Sequence, residues 1–350
     1  MKELKVIGTM SGTSLDGLDL VAAKFSFENQ WKYELISTKT VSYSEELISR
    51  LSNLDSDSAI NYEKTNHDLG RFMGEKVAEF IDSENFKPDF IASHGHTIFH
   101  QPETYLTTQI GHPAAIRAIT ETPVIADFRT TDVHLGGQGA PLVPIGDLLL
   151  FPEYSHCLNL GGIANISVKN EKEIEAFDIC VANMALNYLA RKKGMDYDRN
   201  GELAASGTEI PKLVQTIVDL DFHAKKAPKS LGKEWFDKEL KNILEDHLKN
   251  SSLVDVLASV SQAISDLISK HLTAKSEVLI TGGGTFNTDL INRIKAKSGV
   301  TIKIPSTDLI NFKEALIFGF LGVLRWIEEP NILCSVTGVN MNHIGGCIYV

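Results

Sequence analysis

The chain has 350 residues, of which 43% are hydrophobic and 23% charged. This composition is typical of globular proteins and excludes disordered, collagen-like and coiled-coil chains, and the length suits two domains or one large two-lobed unit. The formal net charge of −11 disfavours non-specific nucleic-acid binding, so backbone N–H groups or a metal ion would have to hold any phosphate-bearing ligand.

The cysteines and the N-terminus favour a reduced, cytoplasmic protein. The four cysteines contain no C-x-x-C pair, which argues against a disulfide scaffold or a cysteine zinc site. The sequence begins MKELKVIGTM, without a long apolar signal segment. The longest apolar stretches, such as 315–324, are too short to span a bilayer. We therefore expect partners other than nucleic acid or a membrane.

The first predicted element is a β-hairpin. Apolar runs at 4–7 and 18–25 flank the turn GTMSGTSLDGLD (8–19). A turn this rich in small residues presents several backbone N–H groups without obstruction, which is how proteins cradle phosphate. Carboxylates at Asp16 and Asp19 beside a phosphate indicate Mg²⁺. An ordinary glycine-rich hairpin turn without a ligand would have the same residues.

Histidines cluster after the next predicted strand, PDFIAS (88–93). The H-x-H spacing of SHGHTIFH allows a metal site, with Asp127 as a further ligand. The more ordinary interpretation is that these histidines hydrogen-bond a polar ligand or a neighbouring strand. The residues concerned are His94, His96 and His100.

The segment 125–147, which follows the short strand TPVIAD (122–127), is polar and has no amphipathic period. Its glycines allow close backbone approach, and Arg129 is a rigid planar donor suited to a carboxylate or a phosphate. A functional loop that lines a cleft and a surface crossover between lobes fit the pattern equally well.

A second hairpin begins near His156, where NLGGIANIS joins two apolar runs through Gly161 and Gly162. A hairpin that opens each half of the chain indicates two lobes of related design. We place the lobes at 1–150 and 151–350, with the C-terminal helix free to pack back on the first lobe.

Two acidic residues stand out in the second half. Asp178, in AFDICVAN, precedes a helix-like run; it is read either as a helix N-cap, which is the more ordinary role, or as a general base at a cleft. Glu314 lies in an otherwise apolar helix and needs a partner or a ligand. The segment 229–235, KSLGKEW, is a basic, glycine-containing loop before a helix.

The remaining chain alternates helices and strands, which indicates an α/β fold. Helices are predicted at 253–272, from about 288, and at 311–327, with strands at 278–281 and 300–304. The apolar helix 311–327 fits either the core or the interface of a homodimer.

A third glycine turn, GGGTFN (282–287), stands between a strand and a helix. It matches neither a Walker A sequence nor a dinucleotide-binding fingerprint. Three such turns at strand ends are best explained by one nucleotide clamped between two lobes.

These segments together resemble the 1,6-anhydro-N-acetylmuramic acid kinases, a family of the sugar-kinase, actin and heat-shock-chaperone ATPase fold class. The resemblance extends from the first glycine turn to the closing SVTGVNMNHIGGCIY. The motifs that carry it occur in order: GTMSGTSLDGLD, SHGHTIFHQP, IADFRTTDVHLGGQGAPLVP, NLGGIANIS and KEALIFGFLG.

The resemblance implies a two-lobed, actin-like, ribonuclease H-like α/β fold with a central cleft. It also implies an ATP- and Mg²⁺-dependent kinase that hydrolytically opens 1,6-anhydro-N-acetylmuramic acid and forms N-acetylmuramic acid 6-phosphate. Such an enzyme would serve the recycling of cell-wall peptidoglycan, and its small-molecule partners would be the amino sugar and ATP.

The resemblance assigns roles to individual residues, with Asp178 as the catalytic base and Asp16 and Asp19 as Mg²⁺ ligands, directly or through water. The residues expected to bind ATP are Gly12, Thr13, Ser14, Leu15, Asp16, Gly17, Leu18, Asp19, Asn159, Gly161, Gly162, Asn165, Gly282, Gly283, Gly284 and Asn287. Those expected to bind the sugar are His94, His96, Arg129, Gln138, Asn183 and Glu314.

Three alternatives remain at this point. The family pattern Asp-Thr-Gly-Pro-Gly-Asn becomes Asp178-Ile179-Cys180-Val181-Ala182-Asn183 here, which keeps open a kinase of the same fold with another sugar substrate. A non-catalytic nucleotide-binding chaperone or sensor is the second alternative. The third is a metallohydrolase built on the histidine cluster.

Overall fold

The structure is a computed structural model that describes residues 3–170 and 173–350. Its strands are β1 (Leu4–Ser11), β2 (Leu18–Phe27), β3 (Trp31–Val41), β4 (Phe90–Gln101), β5 (Leu106–Ile110), β6 (Val124–Ala126), β7 (His156–Leu160), β8 (Ile163–Lys169), β9 (Ile174–Val181), β10 (Glu277–Thr281), β11 (Thr301–Lys303) and β12 (Cys347–Tyr349).

Its α-helices alternate with these strands, as the sequence predicts. They are α1 (Glu45–Ser52), α2 (Ala59–Glu84), α3 (Pro113–Thr120), α4 (Thr130–His134), α5 (Pro144–Leu150), α6 (Asn183–Arg191), α7 (Glu202–Ser206), α8 (Pro211–Val218), α9 (Asp221–Ala224), α10 (Lys233–Trp235), α11 (Lys241–Leu248), α12 (Leu253–Ser269), α13 (Thr288–Ser298), α14 (Thr307–Trp326) and α15 (Cys334–Thr337).

The chain divides into two compact units. Unit 1 comprises the described residues up to Phe151 together with Phe312–Val350, and unit 2 is Pro152–Asn311. Each unit has its own hydrophobic core, which includes Ile7, Leu20 and Ile91 in unit 1. The corresponding core of unit 2 includes Leu158 and Ile264.

The two units share one strand plan. In unit 1 the order β3-β2-β1-β4-β6 begins with antiparallel pairs and continues with parallel ones, and β5 and β12 pair at the far side. In unit 2 the order β9-β8-β7-β10-β11 follows the same sequence of antiparallel and parallel pairs. The two predicted hairpins, β1–β2 and β7–β8, are therefore confirmed, as is the related design of the two halves.

The segment 312–350 belongs to unit 1 and not to the predicted second lobe, 151–350, in line with the expectation that the C-terminal helix can pack back on the first lobe. Helix α14 packs directly on the strands of unit 1, because small residues let the backbones approach. A Cβ atom on Gly8 would collide with the carbonyl oxygen of Ala315, and a Cβ on Gly322 would lie 2.7 Å from the Cβ of Ala92. The last strand, β12, then pairs with β6. The C-terminal segment thus belongs to unit 1.

The segment 125–147 also differs from its prediction. It contains α4 and the start of α5, and much of it is buried, including Asp132, Val133 and Leu142. The interpretation as a surface crossover is therefore wrong. These helices have only five and seven residues, too few for an amphipathic period to show in the sequence.

Candidate functional site

The β1–β2 turn of unit 1 carries the first group of predicted ATP-binding residues. Thr13, Ser14 and Asp16 are exposed, whereas Leu18 is fully buried in the core and offers only its backbone. A Cβ on Gly17 would lie 2.6 Å from the carbonyl oxygen of Val41, so packing requires that glycine. Gly12 differs, because its nearest neighbour would be the Oγ of Ser14 at 3.4 Å. The protein's own packing therefore leaves the space beside Gly12 open.

Asp19 lies half-buried in this turn with its carboxylate close to that of Asp16. Burial raises the pKa of Asp19, the hydroxyl of Thr40 lowers it, and repulsion from Asp16 raises it. Thr40 Oγ1 donates to Asp19 Oδ1 at 2.6 Å. Two carboxylates that repel each other fit a divalent cation, and Mg²⁺ commonly uses one or two carboxylates together with water and substrate phosphates.

A buried chain of polar side chains supports the turn from behind. Tyr43 donates to Ser11 Oγ at 2.6 Å, and Ser11 Oγ lies 3.0 Å from His96 Nδ1. Since Ser11 accepts from Tyr43, its own hydroxyl hydrogen points to His96, whose pKa is lowered by burial. His96 is among the predicted residues, but Ser11 and Tyr43 are not, because the pairing of β4 with β1 and of β3 with β2 brings these distant residues together.

A second cluster in unit 1 joins three predicted sugar-binding residues, His94, Arg129 and Glu314. His94 Nδ1 donates to the carbonyl of Gly95 at 3.0 Å, so Nε2 is free to accept from Arg129 Nε at 3.1 Å and Nη2 at 2.9 Å. Arg129 Nη1 donates to the carbonyl of Gly139 at 2.7 Å. These bonds fix the guanidinium plane and leave N–H groups for a ligand.

Opposite charges share this cluster. Burial lowers the pKa of Arg129 to about 10, and Glu314 opposes that change. Glu314 is accessible to solvent, yet surrounding protein desolvates it and raises its pKa, while Arg129 and Lys313 lower it and Asp19 raises it. His94 keeps a pKa well below its usual value because of burial and the adjacent Arg129. The cluster thus offers a cation, a carboxylate and a neutral imidazole.

Gln138 lies at the edge of this region. Its side chain is exposed, and its backbone N–H donates to the carbonyl of Thr337 at 2.8 Å. The buried carboxylate of Asp132 orders the loop by accepting from Gly139 N at 2.6 Å and from Thr337 Oγ1 at 2.7 Å. Asp132 is not among the predicted residues, because its partner Thr337 is distant in the chain.

The buried ion pair between Lys313 and Asp147 is another feature that the sequence does not reveal. Lys313 Nζ lies 2.6 Å from Asp147 Oδ1, and both side chains are almost fully buried. The pair joins α14 to α5, next to Glu314.

The three clustered histidines of unit 1 already have partners in the protein. His94 binds Arg129, His96 binds Ser11, and His100 Nδ1 lies 3.1 Å from Thr107 Oγ1. Asp127 Oδ1 accepts from the N–H of Thr130. Within residues 3–170 and 173–350, no group of three or more His, Cys, Asp or Glu residues could hold a metal ion. The geometry therefore favours hydrogen bonding over a histidine metal centre.

Unit 2 brings two glycine turns together. Strands β7 and β10 are parallel neighbours with Asn159 opposite Thr281, so the turns that follow them are adjacent. Asn183 joins the two: its Nδ2 donates to the carbonyl of Leu160 at 2.9 Å and would lie 3.1 Å from a Cβ on Gly284. This role as a linker within unit 2 is one that sequence reasoning did not assign to Asn183.

The glycines of these turns fall into two groups. Packing requires Gly282 and Gly284, because a Cβ on Gly284 would lie 2.7 Å from the Cβ of Leu160 and Gly282 has φ +83°. Gly161, Gly162 and Gly283 meet no neighbour closer than 3.4 Å. As at Gly12, the protein leaves room that a side chain would fill.

Polar groups near the third turn include two that the sequence analysis misses. Asn287 Oδ1 caps α13 by accepting from Leu290 N at 3.0 Å, which occupies that oxygen. The buried hydroxyls of Thr281 and Thr285 have no hydrogen-bond partner in the described part of the chain. Buried hydroxyls are usually paired, so unpaired ones beside Gly282–Gly284 suit a polar ligand.

Asp178 lies inside β9, and its interpretation as an N-cap is wrong. The residue before α6 is Ala182, which makes no side-chain capping bond. The register passes from Ala164 opposite Cys180 to Asn165 opposite Asp178, so Ile179 is the extra residue of a β-bulge. Bulges of this kind re-aim side chains next to functional sites. Here the bulge places Asp178 beside Asn165.

The Asp178 carboxylate is half-buried, and one of its two oxygens accepts a hydrogen bond. Leu231 N donates to Oδ2 at 2.8 Å, while Oδ1 has no hydrogen-bond partner among the described residues. Burial raises the pKa of Asp178, and the Leu231 N–H and the Lys229 cation lower it. Cys180 is fully buried with its pKa raised to about 12 by burial, as expected for a packed side chain rather than a nucleophile.

Comparison with known proteins identifies relatives along the whole chain. The family model for anhydro-N-acetylmuramic acid kinase matches residues 4–350. An anhydro-N-acetylmuramic acid kinase of Bacillus cereus is 31% identical over 375 residues, which cover 98% of each chain. One from Acinetobacter baylyi is 33% identical over 373 residues, again 98% of each chain.

Solved structures show a more distant similarity. The Acidaminococcus fermentans (R)-2-hydroxyglutaryl-CoA dehydratase component A has 12% identity and a TM-score of 0.47, covering 89% of this chain and 95% of its own. The Schistosoma mansoni hexokinase complexed with glucose has 9% identity and a TM-score of 0.35, covering 91% and 85%. No functional conclusion follows from similarity at this level. In the described residues, none of the helices has the length and apolar character to cross a membrane.

Proposed function

The chain belongs to the anhydro-N-acetylmuramic acid kinase family, and we propose how its residues carry out the reaction of that family. The protein is an ATP-dependent sugar kinase with the actin-like ATPase and sugar-kinase fold, and its sugar substrate is 1,6-anhydro-N-acetylmuramic acid. A full-length match does not favour another sugar, a non-catalytic chaperone or a metallohydrolase. We infer that the substrate comes from cell-wall recycling.

Asp178 acts as the general base in this proposal. It removes a proton from a water molecule whose oxygen attacks the anomeric carbon, and the bond from that carbon to the 6-oxygen breaks. The freed 6-oxygen bonds to the γ-phosphorus of ATP as the bond to the leaving ADP oxygen breaks. The products are N-acetylmuramic acid 6-phosphate and ADP.

The observation that carries this assignment is that only one carboxylate oxygen of Asp178 accepts a hydrogen bond from the described part of the protein. Oδ2 is fixed by the N–H of Leu231, which orients the group, and Oδ1 is left to accept a proton. A pKa raised by burial brings the carboxylate closer to the working pH, where a general base is more effective. Asn165, opposite Asp178 in the sheet, is a neighbouring polar group for water or phosphate.

The three glycine turns bind ATP in this proposal. Four open glycines support ATP binding, because neither backbone strain nor packing within the protein requires glycine at their positions. They are Gly12, Gly161, Gly162 and Gly283. Open glycine backbone lets N–H groups approach phosphate oxygens directly. The unpaired hydroxyls of Thr281 and Thr285 are further polar groups for the nucleotide.

Mg²⁺ would be held by Asp16 and Asp19, directly or through water. Their mutual repulsion supports this assignment, as does the raised pKa of Asp19. When bound, the ion would neutralise charge on the phosphates, as phosphoryl transfer requires.

The cluster of His94, Arg129 and Glu314 binds the sugar. Arg129 presents its remaining N–H groups from a fixed plane, which suits the carboxylate of the lactyl group of the substrate. His96 supports the neighbouring turn, and Gln138 and Asn183 are the remaining residues that we expect to bind the sugar.

Replacement of the base tests the proposal. Asp178→Asn keeps the shape and the bond from Leu231 but cannot accept the proton, so we expect turnover to fall by about 10²–10⁴-fold. Binding of ATP and sugar, measured by calorimetry, should be retained. Glu175→Gln, an exposed position on the same strand, is the matched control. Near-normal kcat in Asp178→Asn would show that another residue is the base.

A further inference from the structure

The loop 225–232, which precedes α10, binds the edge of the sheet of unit 2 at Asp178. β9 is the last strand of the order β11-β10-β7-β8-β9. The backbone N–H of Asp178 donates to the carbonyl of Lys229 at 3.0 Å, and the N–H of Leu231 donates to Asp178 Oδ2 at 2.8 Å. The segment 229–231 therefore fixes both the backbone and the carboxylate of Asp178.

The Lys229 side chain is held by neutral groups rather than by a carboxylate. Its Nζ lies 3.4 Å from the carbonyl oxygens of Phe222 and of His223. It also stands over the ring of Phe222 at 4.8 Å and that of Phe177 at 5.8 Å, and such faces attract cations. Phe177 adjoins Asp178 in β9. The cation is thus fixed near Asp178 without occupying a carboxylate oxygen.

We propose that Lys229 is a positioning residue for the kinase reaction: it anchors the segment 229–231 against β9 and keeps Asp178 in its ionised, proton-accepting form. The proposal rests on the role of Asp178 as the base. Burial makes the Asp178 carboxylate a stronger base, but it also favours the protonated carboxyl group, which cannot accept a proton. A cation that does not bind the carboxylate offsets this effect and leaves Oδ1 free. A direct ion pair between Lys229 and Asp178 would instead have taken up a carboxylate oxygen of the base.

The other titratable groups near this pair come from β9, from α9 and from the segment that follows α12. Cys180 on β9 is neutral because burial raises its pKa to about 12. His223 on α9 has its pKa lowered to about 4 by burial, and the pKa of His271, after α12, is also lowered by burial. Lys270 lowers both histidine pKa values further. Burial lowers the pKa of Lys229 itself, while Cys180 and Asp178 raise it, and the Lys229 cation is the charge that acts on Asp178.

The pH profile of kcat/KM of the full chain tests the proposal. In Lys229→Met the acidic limb should move to higher pH, because loss of the cation raises the pKa of Asp178, and kcat should fall. Lys229→Arg should restore the limb. Lys225→Met is the matched control: this lysine also stands over the ring of Phe222, at 6.0 Å, but does not act on Asp178. The variant His271→Gln shows whether that histidine contributes to the acidic limb of the profile.

The outcomes separate this inference from the proposed function. If Asp178→Asn keeps its turnover, the assignment of the base fails. If Asp178→Asn is inactive but Lys229→Met lowers kcat equally at every pH, Lys229 is only structural and the inference fails. Should Lys229→Met not fold, carboxyl ¹³C titration of Asp178 in Lys229→Gln and in the unaltered chain decides. An unchanged titration would overturn the inference.

Discussion

Burial shifts the pKa values of two kinds of residue in opposite directions. The carboxylates of Asp19, Asp178 and Glu314 have raised pKa values because water is partly removed from around them. The imidazoles of His94 and His96 have lowered pKa values for the same reason. Both shifts disfavour the charged form, so these three carboxylates, when charged, are expected to reduce the stability of the folded state at neutral pH.

Asp178→Asn should therefore stabilise the protein while it removes activity. The folded-state pKa of Asp178 is raised, so its contribution to stability is present below the unfolded pKa of about 3.9 and is lost as the pH rises through the folded value. The variant should thus show a higher Tm than the unaltered chain at about pH 8, and the gain should fade towards about pH 4. Thermal unfolding at both pH values measures this. A lower Tm of the variant at about pH 8 would contradict it.

At the scale of elements, the glycine turns contain two kinds of glycine. Some are required by packing or by a positive φ, and at the others the protein has room for a side chain. Gly17, Gly282 and Gly284 allow close contacts or a positive φ. Gly12 and Gly162 have no such reason, and in our proposal the phosphates of ATP take the space that a side chain would fill. The two groups give opposite expectations for the same change, glycine to alanine.

Gly12→Ala and Gly162→Ala should raise the KM for ATP by about tenfold or more, because a Cβ would displace phosphate from the backbone N–H groups. Their Tm should stay near that of the unaltered chain. Gly284→Ala is the control: its Cβ would lie 2.7 Å from that of Leu160, and overpacking costs about 1–3 kcal/mol, which lowers Tm. Steady-state kinetics and thermal unfolding separate these effects. Unchanged KM values in folded Gly12→Ala and Gly162→Ala would remove both turns from the nucleotide site.

The elements that the sequence predicts well are those with a local pattern. The hairpins at β1–β2 and β7–β8 follow from apolar runs around glycine, and α12 from its 3.6-residue period. The N-cap interpretation of Asp178 fails because the β-bulge at Ile179 depends on pairing with β8. The attachment of α14 to unit 1 depends on contacts between Gly8 and Ala315, which are far apart in the chain. Ser11, Tyr43, Asp132 and Lys313 are missed for the same reason.

At the scale of the whole molecule, neutral histidines make stability depend on pH. Seven of the eleven histidines have pKa values lowered chiefly by burial, four of them in unit 1 and three in unit 2. A histidine whose folded-state pKa is lowered binds fewer protons than in the unfolded chain. Stability from this source is therefore complete above the unfolded pKa of about 6.5 and is lost as the pH falls below it.

We accordingly expect Tm to fall as the pH is lowered from about 7.5 to about 5. The carboxylates with raised pKa values, Asp19, Asp178 and Glu314, oppose this trend from their folded-state pKa values down to their unfolded values of about 4, but the seven histidines outnumber them. Thermal unfolding at constant ionic strength across the range provides the measurement. A constant or rising Tm on acidification would show that the histidines exchange protons equally in both states.

The most direct test of the account measures ATP turnover with and without 1,6-anhydro-N-acetylmuramic acid and locates the transferred phosphate by ³¹P and ¹³C NMR. The account predicts that ADP forms in step with N-acetylmuramic acid 6-phosphate, that water opens the anhydro bridge, and that little ADP forms without the sugar. ATP hydrolysis at the same rate without the sugar would contradict it, as would a phosphate attached at any position other than the 6-oxygen.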